Sequence, residues 1–87
     1  MRFLVETTFN QAPTPEILAL IPAEVEHGMA IDAQGIREQL FIAADQSKAW
    51  QIYRGETQEA VRAVVATFPL YPFLNVMITP LADAPSS

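Results

Sequence analysis

The segment at residues 68–74, with the sequence Phe-Pro-Leu-Tyr-Pro-Phe-Leu, constrains the fold of this chain more than any other stretch. Pro69 lacks a backbone donor and disfavours the α conformation in the residue before it, so the helical pattern that precedes it must end here. Pro72 holds the chain extended, and a β-type run follows at 73–80. Three aromatic residues lie in this proline corner: Phe68, Tyr71 and Phe73. Because aromatic side chains are stabilised mainly by burial, we expect the corner to close one end of a core, and it is also a candidate wall for a ligand pocket.

The size and composition of the chain favour a small single domain with a partner. Its 87 residues suit one domain with a modest core. Apolar residues make up 51% of the chain, which is more than one small core can hide, so we expect a subunit interface. The net charge is −5 and the few basic residues are dispersed, which argues against a nucleic-acid partner.

The composition also limits the chemistry and the compartment. The chain has no Cys and one His, which excludes a disulfide framework, a Cys nucleophile and a His-rich metal site within one chain. No apolar run approaches the roughly 20 residues of a membrane span. The N-terminus does not have the pattern of a secretory signal. We therefore expect a cytoplasmic protein with no metal and no membrane partner.

The first third of the chain predicts a strand followed by an interrupted helix. Alternating residues at 2–9 indicate the strand. Thr14 is a good N-cap and Pro15 fits the first helical position. Pro22 then predicts a kink or a helical restart, and Gly35 is a natural C-terminal stop. The helix is expected to bury a set of apolar residues spaced by three and four: Ile17, Leu18, Ile21, Val25 and Met29.

The rest of the chain predicts a hairpin, a second helix and a last strand. Alternation indicates strands at 36–44 and 49–54, joined by a polar turn at 45–48. In the first of these strands, one face is expected to carry Arg37, Gln39, Phe41 and Ala43. Thr57 is the N-cap of the second helix, and the final strand covers 73–80. The second helix is expected to bury Ala60, Val61, Val64, Val65 and Phe68.

The predicted order is strand, helix, strand, strand, helix, strand. Two right-handed βαβ crossovers of this kind produce the ferredoxin-like arrangement. The predicted fold class is α+β, with a four-stranded antiparallel sheet and both helices on one face. Residues 1–81 would form this single domain, and 82–87 would be a C-terminal tail. Because the other face of the sheet is too apolar to face water, we expect a second copy to cover it in a homodimer.

The corner at 68–73 and the Ala-Pro-Ser-Ser at 84–87 resemble the muconolactone isomerase-like proteins, a family of the dimeric α/β-barrel group. Enzymes of that family have a Leu-Pro-Leu-Phe-Pro-Tyr stretch before the last strand and a Pro-Ser-Ser near the end. The resemblance implies a proton shift, without cofactor or metal, in a small unsaturated lactone that carries a carboxylate. It also implies aromatic catabolism and a homodimer or a ring of dimers such as a decamer.

A proton shift of this kind needs a base, and a carboxylate is the most available one in a chain without Cys. The resemblance points to Glu24 and Glu26, which lie in the helical segment where the isomerases carry glutamates. Two residues apart on a helix, they face different sides, so at most one should enter a pocket. Val25, between them, is expected to mark the core face. The spacing alone does not separate the two carboxylates, and Glu26 is our first choice.

Two arginines are candidates for binding the substrate carboxylate. Arg37 and Arg54 could hold it bidentately, or they could instead form cross-strand or intersubunit ion pairs with Glu6 or Glu38. Further candidates for substrate binding are Gln46, Tyr53 and Tyr71.

The hairpin turn departs from the family pattern. By register, Gln46 and Ser47 stand where the isomerases carry a His and a Tyr. A Gln donates hydrogen bonds but cannot shuttle a proton near neutral pH. His27 could replace the missing group, or it could be a surface or interface residue.

Three functions are open on the sequence. The first is an isomerase-like enzyme that acts on a small anionic lactone or related unsaturated acid, favoured by the corner and the glutamates. The second is a non-catalytic small-molecule-binding or stress-type protein on the same dimeric barrel, favoured by the altered hairpin turn. The third is a cofactor-free oxygenase of the related barrel group, for which the sequence offers no decisive residue.

Overall fold

The structure is a computed structural model and describes residues 1–82. Its elements, in chain order, are β1 (Arg2–Phe9), α1 (Pro15–Ala19), α2 (Ile21–Ala33), β2 (Arg37–Ile42), β3 (Lys48–Arg54), α3 (Gln58–Val65), a 3-10 turn (Tyr71–Phe73) and β4 (Leu74–Leu81). The predicted tail at 82–87 lies outside the described residues from residue 83 onward. Within residues 1–82, the helices are too short or too polar to cross a membrane.

The four strands form one sheet in the order β2-β3-β1-β4, with every neighbouring pair antiparallel. This order confirms the predicted ferredoxin-like α+β fold. The hydrophobic core lies between one face of the sheet and the helices. It is formed by Phe3, Val5, Ile31, Tyr53, Val61, Val65, Phe68 and Ile78.

Local signals in the sequence set the ends of the helices. The hydroxyl of Thr14 accepts a hydrogen bond from the N–H of Ile17 at 3.2 Å and caps α1. Pro22 is the second residue of α2, where a missing N–H is tolerated, so the predicted restart is confirmed. Gly35, with φ of 75°, follows α2 in the left-handed conformation that glycine adopts at little cost.

The apolar residues predicted to be buried by the first helix are mostly exposed. Ile17 is fully buried, but Leu18 is 57%, Val25 56% and Met29 65% exposed, and Ile21 is exposed as well. The prediction that Val25 marks the core face is therefore wrong. The residues that α2 buries are Gly28 and Ile31, because the helix is rotated to turn that face to the sheet.

Strand β2 is shorter than predicted and irregular at its start. It begins at Arg37, opposite Tyr53, and a β-bulge separates Arg37 from Gln39. Leu40 lies opposite Gln51, which is on the same face of β3 as Tyr53. The extra residue in the bulge therefore places Arg37 on the helix-covered face together with Leu40, whereas strict alternation predicts the opposite face for Arg37.

The proline corner connects α3 to β4. The N–H groups of Thr67 and Phe68 bond to the carbonyls of Val64 and Val65, so α3 ends at Val65 and continues as tighter turns to the corner. Phe68 and Leu70 are buried, which confirms that the corner closes one end of the core. Asn10 anchors it from the end of β1, because its N–H donates to the carbonyl of Phe73 at 2.9 Å.

The sheet face turned away from the helices exposes large apolar side chains in the single chain, next to the ion pair between Glu6 and Lys48. Phe41, Trp50, Glu6 and Met77 form one row across all four strands. Phe41 is 56% exposed and Met77 62% exposed.

Candidate active site

A cleft of about 470 Å³ opens between α2 and the strands β2 and β3. One wall comes from α2 and the other from β2, and both are apolar. The wall residues are Ile21, Val25 and Met29 on α2, with Leu40 and Ile42 on β2. Phe68 and Leu70 line it as well, so the prediction that the proline corner walls a pocket is confirmed for these two residues. The exposed apolar residues of α2 therefore face this cleft rather than the core.

A polar floor lies beneath the apolar walls. The hydroxyl of Tyr53 donates to Oε1 of Gln51 at 3.1 Å, and Nε2 of Gln51 donates to the hydroxyl of Thr7 at 3.4 Å. All three side chains are buried and line the cleft. Burial raises the pKa of Tyr53 to about 12, so the phenol keeps its proton at neutral pH. Sequence reasoning missed Thr7 and Gln51; the available signal was a polar residue at a core-facing position of a strand.

Glu24 places a carboxylate in the cleft. Its Oε1 accepts a hydrogen bond from the N–H of Leu70 in the proline corner at 3.0 Å. Burial raises the pKa of Glu24 above its ordinary value of 4.5. The Leu70 N–H and the charges of His27 and Arg37 act in the opposite direction and reduce this rise. A carboxylate in this setting is a stronger base than one in water.

Glu24 and Glu26, which the sequence did not distinguish, differ in burial and position in the structure. Glu24 is half-buried and lines the cleft, whereas Glu26 is exposed on another side of α2. The preference for Glu26 as the base stays a prediction, but the geometry favours Glu24. His27 packs α2 onto the turns that follow α3: its Nε2 lies 2.7 Å from the hydroxyl of Thr67, and its ring meets that of Phe68 edge-on with 4.6 Å between the ring centres.

Arg37 brings a cation to the same end of the cleft. Its Nε and Nη2 donate to the two carboxylate oxygens of Asp32 at 2.7 and 3.1 Å. The side chain is only 10% exposed, and the guanidinium lies 5.8 Å from the ring centre of Phe68. Asp32 thus occupies the bidentate edge that was predicted for a substrate carboxylate.

The remaining predicted binding residues divide between the cleft and other surfaces. Gln46 lines the cleft with a φ of 62°, in the turn between β2 and β3. Tyr53 is part of the cleft floor, as described above. Arg54 is exposed at the end of β3, and Tyr71 packs against the core from the 3-10 turn. These last two lie away from the cleft that contains Glu24.

The ion pairs differ from those expected. The carboxylate of Glu6 pairs with Lys48 at 3.1 Å, and that of Glu38 pairs with Arg2 at 2.7 Å. Within one chain, the cross-strand alternative in which Arg37 pairs with Glu6 or Glu38 is therefore wrong, because the bulge turns Arg37 toward Asp32. Pairing across subunits stays a prediction.

Taken together, the cleft contains a partly desolvated carboxylate, a buried guanidinium and a hydrogen-bonded polar floor between apolar walls. A carboxylate of this kind can take a proton from carbon, and a cation nearby stabilises the negative charge that develops. Among residues 1–82, no cluster of three or more His, Cys, Asp or Glu side chains could hold a metal ion.

Comparisons with known proteins identify one family model and two solved structures with the same fold. The family model described as muconolactone delta-isomerase matches residues 1–87. The crystal structure of muconolactone isomerase superposes with a TM-score of 0.84 at 21% identity, over 100% of this chain and 94% of that one. A 5-chloro-2-hydroxyhydroquinone dehydrochlorinase from Burkholderia phenoliruptrix AC1100, in complex with 2,5-dihydroxybenzoquinone, superposes with a TM-score of 0.76 at 12% identity, over 97% and 96% of the chains. No curated protein sequence matches the chain.

Proposed function

The chain belongs to the muconolactone delta-isomerase family, and from this premise we propose that it catalyses a cofactor-free proton shift in a small unsaturated lactone or a related carboxylate. The observation that carries the proposal is the position of Glu24. It is a half-buried carboxylate whose pKa is raised by burial, in a cleft with apolar walls. A base of this kind suits the removal of a weakly acidic proton from carbon.

In the proposed reaction, Glu24 takes a proton from the carbon next to the conjugated system. The C–H bond breaks, and its electron pair spreads over the neighbouring double bond and carbonyl as a dienolate. Glu24, now protonated, returns the proton at the other end of the conjugated system. The double bond moves, and no electron or proton is gained or lost overall.

The charge of the dienolate must be stabilised while it exists. Arg37 supplies a fixed cation beside Glu24, held in place by Asp32. Gln46 offers an amide donor in the hairpin turn that lines the cleft. The walls of the cleft are apolar, so a substrate bound between them would displace water and strengthen both interactions.

The test is a comparison of Glu24→Gln with the matched variant Glu26→Gln. Glutamine keeps the shape of the side chain and removes its basicity, so only the catalytic residue should matter. We expect Glu24→Gln to lower the rate by about 10²–10⁴-fold, the usual share of general acid–base catalysis, and Glu26→Gln to stay near wild type. The assay is isomerisation of a butenolide carboxylate, followed by ultraviolet absorbance. Wild-type rates in both variants would contradict the assignment.

A second candidate function is non-catalytic binding of a small anionic molecule. The feature in its favour is the hairpin turn, which has Gln46 and Ser47 where the resemblance to the family's enzymes implies a His and a Tyr. If the wild-type protein shows no turnover but binds butenolide carboxylates in calorimetry, this candidate replaces the first. The names of the two similar structures support a role in the breakdown of aromatic compounds. We expect that role in the cytoplasm.

We also propose that the protein is a homodimer, or a ring of dimers, joined through the sheet face turned away from the helices. The exposure of Phe41 and Met77, at 56% and 62%, supports this, because large apolar side chains are stabilised when a partner covers them. Sedimentation at micromolar concentration should give at least a dimer. A folded species with the 9.6 kDa mass of one chain would refute the proposal.

A further inference from the structure

Gly28 lies where α2 comes closest to the Arg37 side chain. A Cβ added at Gly28 would be 2.5 Å from Nη2 of Arg37 and 3.3 Å from its Cζ. A separation of 2.5 Å is far below van der Waals contact, so the guanidinium rests directly on the helix backbone. Any larger residue at position 28 must displace it.

Gly28 lies between Glu24 and Asp32 along α2, so its contact with Arg37 affects the cleft. Glu24 is one turn before Gly28 on the helix, and Asp32 is one turn after it. The three residues therefore share one side of α2. Arg37 reaches this side from the bulge at the start of β2 and fills the gap over Gly28.

We propose that Gly28 is a positioning residue, which seats the Arg37 guanidinium between Glu24 and Asp32 and so fixes the cation beside the base. The inference rests on the proposed function for the role of Glu24 as a base. The contact between the Arg37 guanidinium and the helix backbone at Gly28 rests on geometry alone. Asp32 holds Nε and Nη2 of Arg37, and Gly28 supplies the space without which that ion pair could not form beside Glu24.

The fixed cation has a direct effect on Glu24. Its positive charge lowers the pKa of the carboxyl and so limits the rise that burial causes. The charged and titratable groups that act on Glu24 or interact with it are His27 from α2, Arg37 from β2 and Tyr53 from β3, and Asp32 of α2 acts on Arg37 and Tyr53. The proline corner contributes only the N–H of Leu70 to this set within the described residues. Displacing Arg37 removes a positive charge that lowers the pKa of Glu24. The effect of burial then dominates more strongly, and the pKa of Glu24 should rise further.

The first experiment is a double-mutant cycle with Gly28→Ala, Arg37→Ala and the double variant, measured by thermal unfolding. In an ordinary helix interior, replacing Gly by Ala is stabilising. Here we expect Gly28→Ala to lower the melting temperature by roughly 4–8 °C, because the added methyl group displaces the Arg37 guanidinium from its ion pair with Asp32. In the Arg37→Ala background the same change should leave the melting temperature unchanged or raise it.

The second experiment measures the pKa of Glu24 by carbon-13 NMR of its side-chain carboxyl. The pKa should be higher in Gly28→Ala than in wild type, and Arg37→Ala should raise it in the same direction. Should Gly28→Ala fail to fold, the double variant, which removes the clash, is expected to fold and to show the same rise. A Gly28→Ala protein that melts above wild type, additive shifts in the cycle, or an unchanged pKa would each overturn the proposal.

Neither measurement needs turnover. A Glu24→Gln variant with full activity would refute the proposed function and leave the cycle and the titration interpretable. Conversely, the pKa of Glu24 could be unchanged in Gly28→Ala while Glu24→Gln is inactive. That result would refute the positioning role of Gly28 and support the role of Glu24 as the base.

Discussion

The helices α2 and α3 cover the same face of the sheet but use their apolar residues in opposite ways. In α3, Val61 and Val65 are buried in the core, at 1% and 4% exposure. In α2, Val25 and Met29 are more than half exposed and line the cleft. The periodic pattern predicts burial for both sets. It is correct for Val61 and Val65 of α3 and wrong for Val25 and Met29 of α2, and the predicted burial of Ala60 at the start of α3 is wrong as well, because its side of the helix faces solvent.

The difference shows how this fold makes room for a site. An amphipathic helix packed fully on the sheet, as α3 is, leaves no space for a ligand. In α2 the buried side consists of Gly28 and Ile31, with Glu24 beside them, and the apolar stripe faces across the cleft toward β2. Because the large apolar side chains of α2 are not buried in the core, they form an apolar wall of the cleft next to Glu24.

Replacing one valine by alanine in each helix should give the largest difference between the two helices in the free energy of unfolding. Val61→Ala removes two methyl groups from a fully buried side chain and leaves a small cavity, so we expect a loss of about 2–3 kcal/mol in the free energy of unfolding. Val25→Ala removes the same atoms from an exposed side chain and should change that quantity by less than about 0.5 kcal/mol. Urea unfolding of both variants measures the two values. Equal losses would mean that α2 packs like α3 in solution.

A smaller effect concerns the start of each helix. The hydroxyl of Thr57 accepts a hydrogen bond from the N–H of Ala60 at 3.1 Å and caps α3. Among the described residues, the cap position of α2 is Leu20, which makes no side-chain capping bond because α1 runs directly into α2. Thr57→Ala should therefore cost about 1 kcal/mol of unfolding free energy. Thr57→Ser, which keeps the oxygen, is the matched control, and a loss of the same size in it would contradict the capping role.

The smallest effect is a pH dependence that belongs to α2. Because burial raises the pKa of Glu24 in the folded protein above 4.5, the unfolded chain releases this proton at a lower pH than the folded one. The contribution of Glu24 to stability is therefore fully present below pH 4.5 and is lost as pH rises through the native pKa. In Glu24→Gln this loss is absent, so the difference in unfolding free energy between the two proteins should change as pH rises from about 4 to 7.

Denaturant unfolding at several pH values measures this difference. Since Glu24 is only half-buried, solvent screening keeps the effect modest. A difference between wild type and Glu24→Gln that stays constant over the whole range would show that the carboxyl is not desolvated in the folded state.

The sequence by itself determined the parts of this protein that depend on neighbouring residues. Thr14 and Thr57 cap helices because a hydroxyl reaches an N–H three residues on, and Pro22 restarts a helix because its ring cannot occupy a helix interior. The order of elements follows from these signals and from the hydrophobic periods, and it was sufficient to predict the ferredoxin-like fold. The proline corner pointed to the family for the same reason, since its residues are contiguous.

Only the tertiary structure decided the site, because each of its features joins residues that are distant in sequence. The rotation of α2 places Glu24 in the cleft and leaves Glu26 exposed, and it brings Glu24 to the N–H of Leu70, 46 residues away. Arg37 reaches the cleft through a one-residue bulge, and the polar alternation of β2 gives no sign of where such a bulge occurs. The rotation of a helix and the register of a strand are set by packing across the whole domain, and local propensity does not encode them.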